Sequence, residues 1–434
     1  MLVIKPDVKL TTLLTIKCMK NFVLILILVS SLMVCQCKNV NEADNVLKQI
    51  LRSNPELFEG VLENADKHRL QILYTQIDRD SFDRPRFTSH PFNLDTIHYF
   101  YPASTVKLPA ALLALEKLNN INIAGLNKYT SLRIDSAFSV QTSVQYDSTS
   151  ENNLPSIANY IKKIFLVSDN DAFNRLYEFL GQQYITETLN KKGYTNTKII
   201  RRLETGMTPE ENRATNPFTF YDGEKILYQQ LLTVNPNQYI INMQDVRQGR
   251  GYYKNDSLIN EPMDFSYSNY ISIENLQNFI KAIFFPEAVS AEQRFNLTQD
   301  DYEFLYNYMS MYPRQSEFTL YHDTTKFCDS HVKLFMFGDS KKNIPGNIRI
   351  FNKTGRAYGY ALDNAYITDL EKKIEFLLTA VIQVNENQIY NDDTYEYDDI
   401  GIPFMANLGR AIYDYELKRE REYQPDLSKL KTNK

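Results

Sequence analysis

A serine and a lysine three residues apart could act as a nucleophile and its base. Ser104 and Lys107 lie in the stretch Tyr101–Pro109, directly ahead of an apolar run, 110–118, that predicts a helix. At the start of a helix, this spacing places the hydroxyl and the amine one turn apart on the same face. The partial positive charge and the free N–H groups of a helix N-terminus would stabilise a developing alkoxide there. The stretch therefore predicts an activated serine.

The same four-residue pattern occurs a second time, at Ser330 and Lys333. There it lies in an alternating run, 331–337, that is typical of a strand, and we interpret it as structural. Because the pattern repeats within one chain, it is weak support for catalysis when taken alone. The case for Ser104 depends on the other groups that the chain supplies.

Two further short motifs follow Ser104 in chain order. Ser168-Asp169-Asn170 lies between two predicted helices, and Lys353-Thr354-Gly355 lies at the end of a predicted strand. Ser-x-x-Lys, Ser-Asp-Asn and Lys-Thr-Gly, in this order, are the signature set of class A β-lactamases and penicillin-binding proteins. From about residue 60 to about residue 420, the chain resembles the class A β-lactamase-like serine hydrolases.

The resemblance implies a catalytic role for four residues. Ser104 would be the acylated nucleophile, and Lys107 would take its proton. Lys107 must be neutral to do so, and both burial and the nearby cation Lys353 would lower its pKa. Ser168 would pass a proton to the leaving nitrogen, with Lys353 setting the electric field beside it.

The resemblance also implies a group of substrate-binding residues: Asn170, Thr354, Gly355 and Arg356. Asn170 would hold the amide side chain of the substrate, and Thr354 with Lys353 would bind its carboxylate. The backbone N–H groups of Ser104 and Arg356 would form an oxyanion hole, worth about 3–4 kcal/mol per donor in comparable enzymes. Two structural alternatives stay open, namely Asn170 as a helix cap and Lys353 as a solvated charge at a strand end.

The chain departs from the class A pattern at the residue that should resolve the acyl-enzyme. That class carries a glutamate in a Glu-Pro-Glu-Leu-Asn stretch, and alignment on Pro209 and Asn212 puts Thr208 in its place. A positioned general base is worth roughly 10²–10⁴-fold in rate. The remaining candidates for this base, each also readable as a solvated surface carboxylate, are Glu204, Glu210 and Glu211.

These residues predict an exported serine hydrolase that acts on β-lactams through an acyl-enzyme. If no carboxylate reaches the site, the alternatives are a D-Ala-D-Ala peptidase, an esterase or a slowly deacylating penicillin-binding protein. The stretch 102–109 is also similar to the nucleophile motif of class D β-lactamases, which use a carboxylated lysine as base, but Asn170 stands where that class has an apolar residue. The non-enzymatic alternative is a tethered binding module.

Composition limits the kinds of molecule that the protein is expected to bind. A net charge of −5 and a pI near 5.7 give no basic footprint for nucleic acid. Only Cys328 lies beyond the first 37 residues, so we expect no disulfide in the body of the chain. We expect a monomer without metal or other cofactor, whose partner is a small-molecule β-lactam or a cell-wall peptide.

The first 37 residues have the pattern of a secretory leader. Met19-Lys20-Asn21 forms a short basic head, and an apolar run, 22–29, and a polar exit follow. The run is shorter than the roughly 20 residues of a membrane span. Cys35 or Cys37 would be lipidated in a lipoprotein, and a plain signal peptide is the alternative. We therefore expect a periplasmic protein, or one attached to the membrane only through its leader or lipid.

The predicted elements give an α+β fold of the β-lactamase/transpeptidase type. Strand patterns occur at 69–78 and again at 347–352, 362–368 and 374–384, whereas the middle of the chain is mainly helical. The two ends should pair into one antiparallel sheet flanked by helices, with a helical subdomain beside it. The expected divisions are a leader (1–37, with Met19 as an alternative start), a tether (38–60), a catalytic domain (61–420) and a charged tail (421–434). Within the catalytic domain, we expect a sheet part (61–103 and 345–420) and a helical part (104–344) with an insertion near 212–262.

Overall fold

A computed structural model of the protein describes residues 45–431. The elements below belong to one compact unit, which begins at Val46. The leader, with Cys35 and Cys37, lies outside the described residues. Within 45–431, no helix is both long enough and apolar enough to cross a bilayer.

Helices and strands alternate along the described chain. The helices are α1 Val46–Arg52, α2 Pro55–Leu62, α3 Lys107–Ile121, α4 Ile157–Val167, α5 Asn170–Leu180, α6 Gln182–Lys191, α7 Ile273–Phe284, α8 Gln299–Ser310 and α9 Ile402–Lys418. The strands are β1 Gln71–Arg79, β2 Pro85–Phe92, β3 Ser131–Ile134, β4 Thr197–Lys198, β5 Phe218–Asp222, β6 Lys225–Gln230, β7 Arg247–Gln248, β8 Gly251–Lys254, β9 Ser257–Ile259, β10 Met263–Asp264, β11 Tyr270–Ile271, β12 Ile348–Asn352, β13 Gly355–Ala357, β14 Tyr360–Asp369, β15 Ile374–Gln383 and β16 Ile389–Tyr390.

The largest sheet joins the two ends of the chain. Its order is β12-β14-β15-β1-β2, and β13 pairs with β14. The join between the ends is the antiparallel pair β1–β15, with Ile72 opposite Ala380. β15 is buried along its whole length, as its nearly continuous apolar sequence predicts for a central strand. The predicted antiparallel sheet and α+β class are confirmed.

Helices cover both faces of this sheet. Successive side chains of a strand point to opposite faces. On one face, Leu73 and Leu377 join the hydrophobic cluster that includes α3, α4, α5 and α7. On the other face, Ile72 and Phe376 join the cluster of α1, α2 and α9. The motifs of Ser104 and Ser168 lie on the first of these two faces, where α3 meets α5.

One local prediction is wrong. The run 331–337 forms turns, since the N–H groups of its middle residues bond to a buried carboxylate and no described strand pairs with it. The segment near 212–262 contains the short strands β5 to β9, because Phe218 and Phe220 alternate onto one face and pack on Phe179. The described part of the expected tether includes α1 and most of α2, because Leu47 and Phe58 bury against the core.

Candidate active site

Ser104 lies in a short 3-10 turn, Ala103–Val106, that leads directly into α3 at Lys107. Pro109 falls in the first turn of α3, where a backbone N–H has no intrahelical partner, so the proline shifts the helix start and does not kink the helix. Ala103 is held at a φ of 46°. This left-handed residue turns the chain sharply just before the half-buried serine.

Lys107 is fully buried, and its ammonium nitrogen is the centre of the site. Its Nζ lies 2.8 Å from Ser104 Oγ, 2.5 Å from the carbonyl oxygen of Ser168 and 2.5 Å from Asn170 Oδ1. Burial lowers the pKa of Lys107 to about 7, against the attraction of the carboxylates of Asp169 and Glu204. Near neutral pH, a substantial fraction of this lysine is therefore a free amine beside the serine.

Ser168 connects the two lysines. It ends α4 with a left-handed φ of 59°, and its Oγ accepts a hydrogen bond of 2.8 Å from Lys353 Nζ. Lys107 Nζ lies 3.3 Å from the same oxygen. The hydroxyl of Ser168 can thus exchange a proton with either amine.

The two structural alternatives for this region are wrong. Asp169, and not Asn170, caps α5, because its Oδ1 accepts the backbone N–H of Ala172 at 2.8 Å. Asn170 is left to bond with Lys107. Lys353 is 2% exposed, so it is not a solvated charge at the end of a strand.

Lys353 follows β12 directly and donates hydrogen bonds to Ser168 Oγ and, at 2.7 Å, to the carbonyl oxygen of Thr354. Burial, with the repulsion of Lys107 as the next contribution, holds the pKa of Lys353 well below its ordinary value. The amines of Lys107 and Lys353 share one hydroxyl, and a positive charge on Lys107 disfavours one on Lys353.

β13 passes very close to the nucleophile. A Cβ built on Gly355 would lie 2.7 Å from the backbone nitrogen of Ser104 and 2.9 Å from Ala103 Cβ. Only a glycine lets this strand approach so closely. The approach brings the backbone of Arg356 beside that of Ser104, as an oxyanion hole requires.

A cleft of about 490 Å³ opens over the serine. Of the predicted site residues, Ser104, Asn170, Arg356 and Glu204 line it, whereas Thr354 is buried and does not. Residues that the motifs did not identify form much of its wall: Tyr101, Arg201, Tyr358, Asp393, Tyr395 and Tyr397. The only sequence signal for this wall was the density of tyrosine between residues 390 and 397.

The three candidate carboxylates lie in different surroundings. Glu204 is exposed on the wall of the cleft that Ser104 lines. Glu211 accepts the backbone N–H of Thr208 at 2.7 Å, which occupies its carboxylate within the local turn. Glu210 is exposed and does not line the cleft. The geometry therefore favours Glu204 over the other two.

A metal site of three or more His, Cys, Asp or Glu side chains does not occur between residues 45 and 431. The wall of the cleft carries the carboxylates of Glu204 and Asp393 and the guanidinium of Arg201.

The fold and the site define a β-lactamase/transpeptidase-like protein. Residues 61–257, just under half of the chain, match the model of the beta-lactamase enzyme family. The matched segment includes Ser104, Lys107 and 168–170, and it ends before Lys353. A comparison with curated proteins finds no match.

Several solved structures follow a similar chain course at low identity. The class A beta-lactamase of Clostridium kluyveri is 13% identical over 82% of this chain and 97% of its own, with a TM-score of 0.42. An ancestral class A beta-lactamase is 14% identical over 84% and 99%, with a TM-score of 0.46. The beta-lactamase of Streptomyces albus G is 14% identical over 85% and 99%, with a TM-score of 0.44. Similarities of this strength do not define a fold by themselves.

Proposed function

We propose that the protein is a serine hydrolase that opens β-lactams through an acyl-enzyme on Ser104. The observation that carries this proposal is the contact of 2.8 Å between Lys107 Nζ and Ser104 Oγ, made by an amine whose pKa is about 7. A nucleophilic serine needs a base that is neutral at the working pH and lies within hydrogen-bond reach. Lys107 meets both requirements.

Acylation then needs three proton transfers. Lys107 takes the proton of Ser104 Oγ as that oxygen attacks the lactam carbonyl carbon, and the backbone N–H groups of Ser104 and Arg356 stabilise the oxyanion. The carbonyl–nitrogen bond breaks, and the nitrogen receives the hydroxyl proton of Ser168. The ammonium of Lys107, whose Nζ lies 3.3 Å from Ser168 Oγ, replaces that proton and becomes a free amine again.

Deacylation needs a base for water. Glu204 lines the cleft over the ester and takes a proton from water as its oxygen attacks the ester carbonyl. The bond to Ser104 Oγ breaks, and that oxygen receives the proton that Glu204 took from the water, so both groups return to their starting states. Because Glu204 is exposed and no hydrogen bond to another described side chain fixes its carboxylate, we expect this step to be slower than acylation.

Replacing Glu204 with glutamine should therefore lengthen the life of the acyl-enzyme by about 10²-fold, the lower end of the range for a general base. Acylation itself should be unaffected. The measurement is the decay of the fluorescent-penicillin adduct after excess drug is removed. Glu210→Gln and Glu211→Gln are the matched controls, and both should decay as the unmodified protein does. Equal decay in all three variants would remove Glu204 from the mechanism.

One observation favours a second function, that of a slowly deacylating penicillin-binding protein or D-Ala-D-Ala peptidase. Thr208 stands where the class A glutamate is expected, and its N–H is bound to Glu211. An adduct that persists for hours, with cleavage of a D-Ala-D-Ala peptide, would select this function over β-lactam hydrolysis.

Turnover of nitrocefin by the unmodified protein and by Ser104→Ala tests the proposal. We expect slow hydrolysis that the substitution abolishes. A protein that neither hydrolyses nitrocefin nor forms an adduct is a binding module, and the proposal fails. Export, lipidation at Cys35 or Cys37 and the monomeric state stay predictions that rest on the sequence alone.

A further inference from the structure

The second Ser-x-x-Lys pattern places a third lysine behind the site. Lys333 is completely buried, and its Nζ donates hydrogen bonds to the carbonyl oxygen of Met309 at 2.7 Å and to Asn352 Oδ1 at 2.6 Å. Met309 lies in the last turn of α8, where backbone carbonyls have no helical partner. A cation is favoured at such a helix end.

Asn352 links this lysine to a buried carboxylate. Its Nδ2 donates to Asp363 Oδ1 at 2.7 Å and to the carbonyl oxygen of Val332 at 2.8 Å. Asn352 is also the residue directly before Lys353. One side chain therefore separates Lys333 from the strand end that carries the second catalytic amine.

Asp363 contacts the same end of β12 from the other side. Its carboxylate accepts the backbone N–H groups of Leu334 at 2.9 Å, Phe335 at 3.3 Å and Asn364 at 2.9 Å, besides the amide of Asn352. Burial raises the pKa of Asp363 above its ordinary value, while the four donors favour its ionised form. Burial likewise lowers the pKa of Lys333 to about 7, against the attraction of Asp363, which favours the ammonium. The backbone N–H of Lys353 donates in turn to the carbonyl oxygen of Asn364 at 3.1 Å.

Two ionisable side chains that are buried without touching each other are costly to keep. Apolar side chains of similar volume often stabilise such a core better than charged groups do. Such a pair is expected where its charges act on a neighbouring site. We propose that Lys333 is a positioning residue for Lys353, fixing its strand end through Asn352 and, together with Asp363, setting the electric field at the active-site amines. The inference rests on the proposed acylation of Ser104.

The field has identifiable sources. Burial lowers the pKa of Lys353 most, and the positive charges of Lys107 and Lys333 lower it further. The carboxylate of Asp363 acts in the opposite direction. Lys333 itself faces Asp363 and Arg349. The positive charges of Arg356 and Lys353 also act on the nearby side chain of His331. These are the ionisable groups around the two buried lysines in the part of the chain that the structure describes.

Opposite charge changes should therefore move the pH profile of acylation in opposite directions. The rate of Ser104 labelling by a fluorescent penicillin is measured against pH for Lys333→Met, Asp363→Asn and the double variant. Loss of a positive charge raises the proton affinity of the coupled amines, so Lys333→Met should move the acidic midpoint up by at least about 0.5 pH unit. Asp363→Asn should move it down, and the double variant should return it towards that of the unmodified protein.

A purely structural role predicts a different pattern. All three variants would then lose thermal stability or rate while their midpoints stayed in place, and that result would overturn the inference. The inference would also be overturned if Lys333→Met and Asp363→Asn moved the midpoint in the same direction. If Lys333→Met does not fold, the midpoints of Asp363→Asn and of the double variant still test the inference. An unmodified protein that is not acylated at any pH contradicts the proposed function, whereas acylation with unmoved midpoints contradicts only the role of Lys333.

Discussion

Replacing Lys107 with methionine is expected to slow acylation of Ser104 by roughly 10²–10⁴-fold, the usual worth of a positioned general base. Methionine fills most of the same buried volume but accepts no proton. The rate of labelling by a fluorescent penicillin measures the effect, and circular dichroism checks the fold. We expect the fold to persist, because the substitution removes an amine whose charged form is disfavoured by burial.

Lys117 provides a matched control for this experiment. It is also a lysine whose pKa burial lowers to about 7, but its Nζ donates to the carbonyl oxygen of Phe179 and to Gln230, away from Ser104. Lys117→Met should label at the rate of the unmodified protein. If Lys107→Met labels as fast as Lys117→Met, Lys107 is not the base.

The same base fixes the sign of the pH dependence. Lys107 accepts a proton only as a neutral amine, so acylation should be slow below its pKa of about 7 and should rise to a plateau above it. In Lys107→Met, this rise should be absent. A rate that is independent of pH between about 5 and 9 in the unmodified protein would show that no group of this kind controls the step.

Replacing Gly355 with alanine should lower the acylation rate by roughly 10²–10³-fold, the effect of losing one oxyanion-hole donor. The new Cβ would lie 2.7 Å from the backbone nitrogen of Ser104 and 3.1 Å from the carbonyl oxygen of Pro102. Both are backbone atoms, which cannot move aside as the end of a flexible side chain can. β13 must therefore retreat from the nucleophile, and the N–H group of Arg356 retreats with it.

Gly346→Ala is the control for this second substitution. Gly346 has no heavy atom within 4 Å of a built Cβ, so it reports the general effect of adding a methyl group. Its acylation rate should not change. If Gly355→Ala is acylated as fast as Gly346→Ala, the close approach of β13 is not part of the oxyanion hole.

Local patterns predicted the frame of the protein and the residues that meet at its candidate active site. The alternating residues of β1 and the apolar run of β15 identified the two strands that join the chain ends. The three motifs identified Ser104, Lys107, Ser168 and Lys353, which the structure joins through hydrogen bonds. Short motifs succeed here because each includes both the reacting group and the turn or strand end that presents it.

The rest depends on contacts between distant parts of the chain. Nothing near Tyr397 indicates that its hydroxyl accepts the N–H of Gly359 beside the cleft. The alternation of residues 331–337 suits a strand equally well, and only the buried carboxylate of Asp363 explains why turns form there. The cap at Asp169 and the bond between Asn170 and Lys107 were likewise undecided until the position of Lys107 was known.

Intact-mass spectrometry after brief mixing with benzylpenicillin tests the central claim most directly. Ring opening adds the whole drug to the serine, so the unmodified protein should gain the mass of one benzylpenicillin, and peptide mapping should place it on Ser104. Ser104→Ala should gain nothing, and the adduct on the unmodified protein should decay as the ester is hydrolysed. An unmodified protein without an adduct at any time, although it is folded, or an adduct of equal yield on Ser104→Ala, would contradict the account.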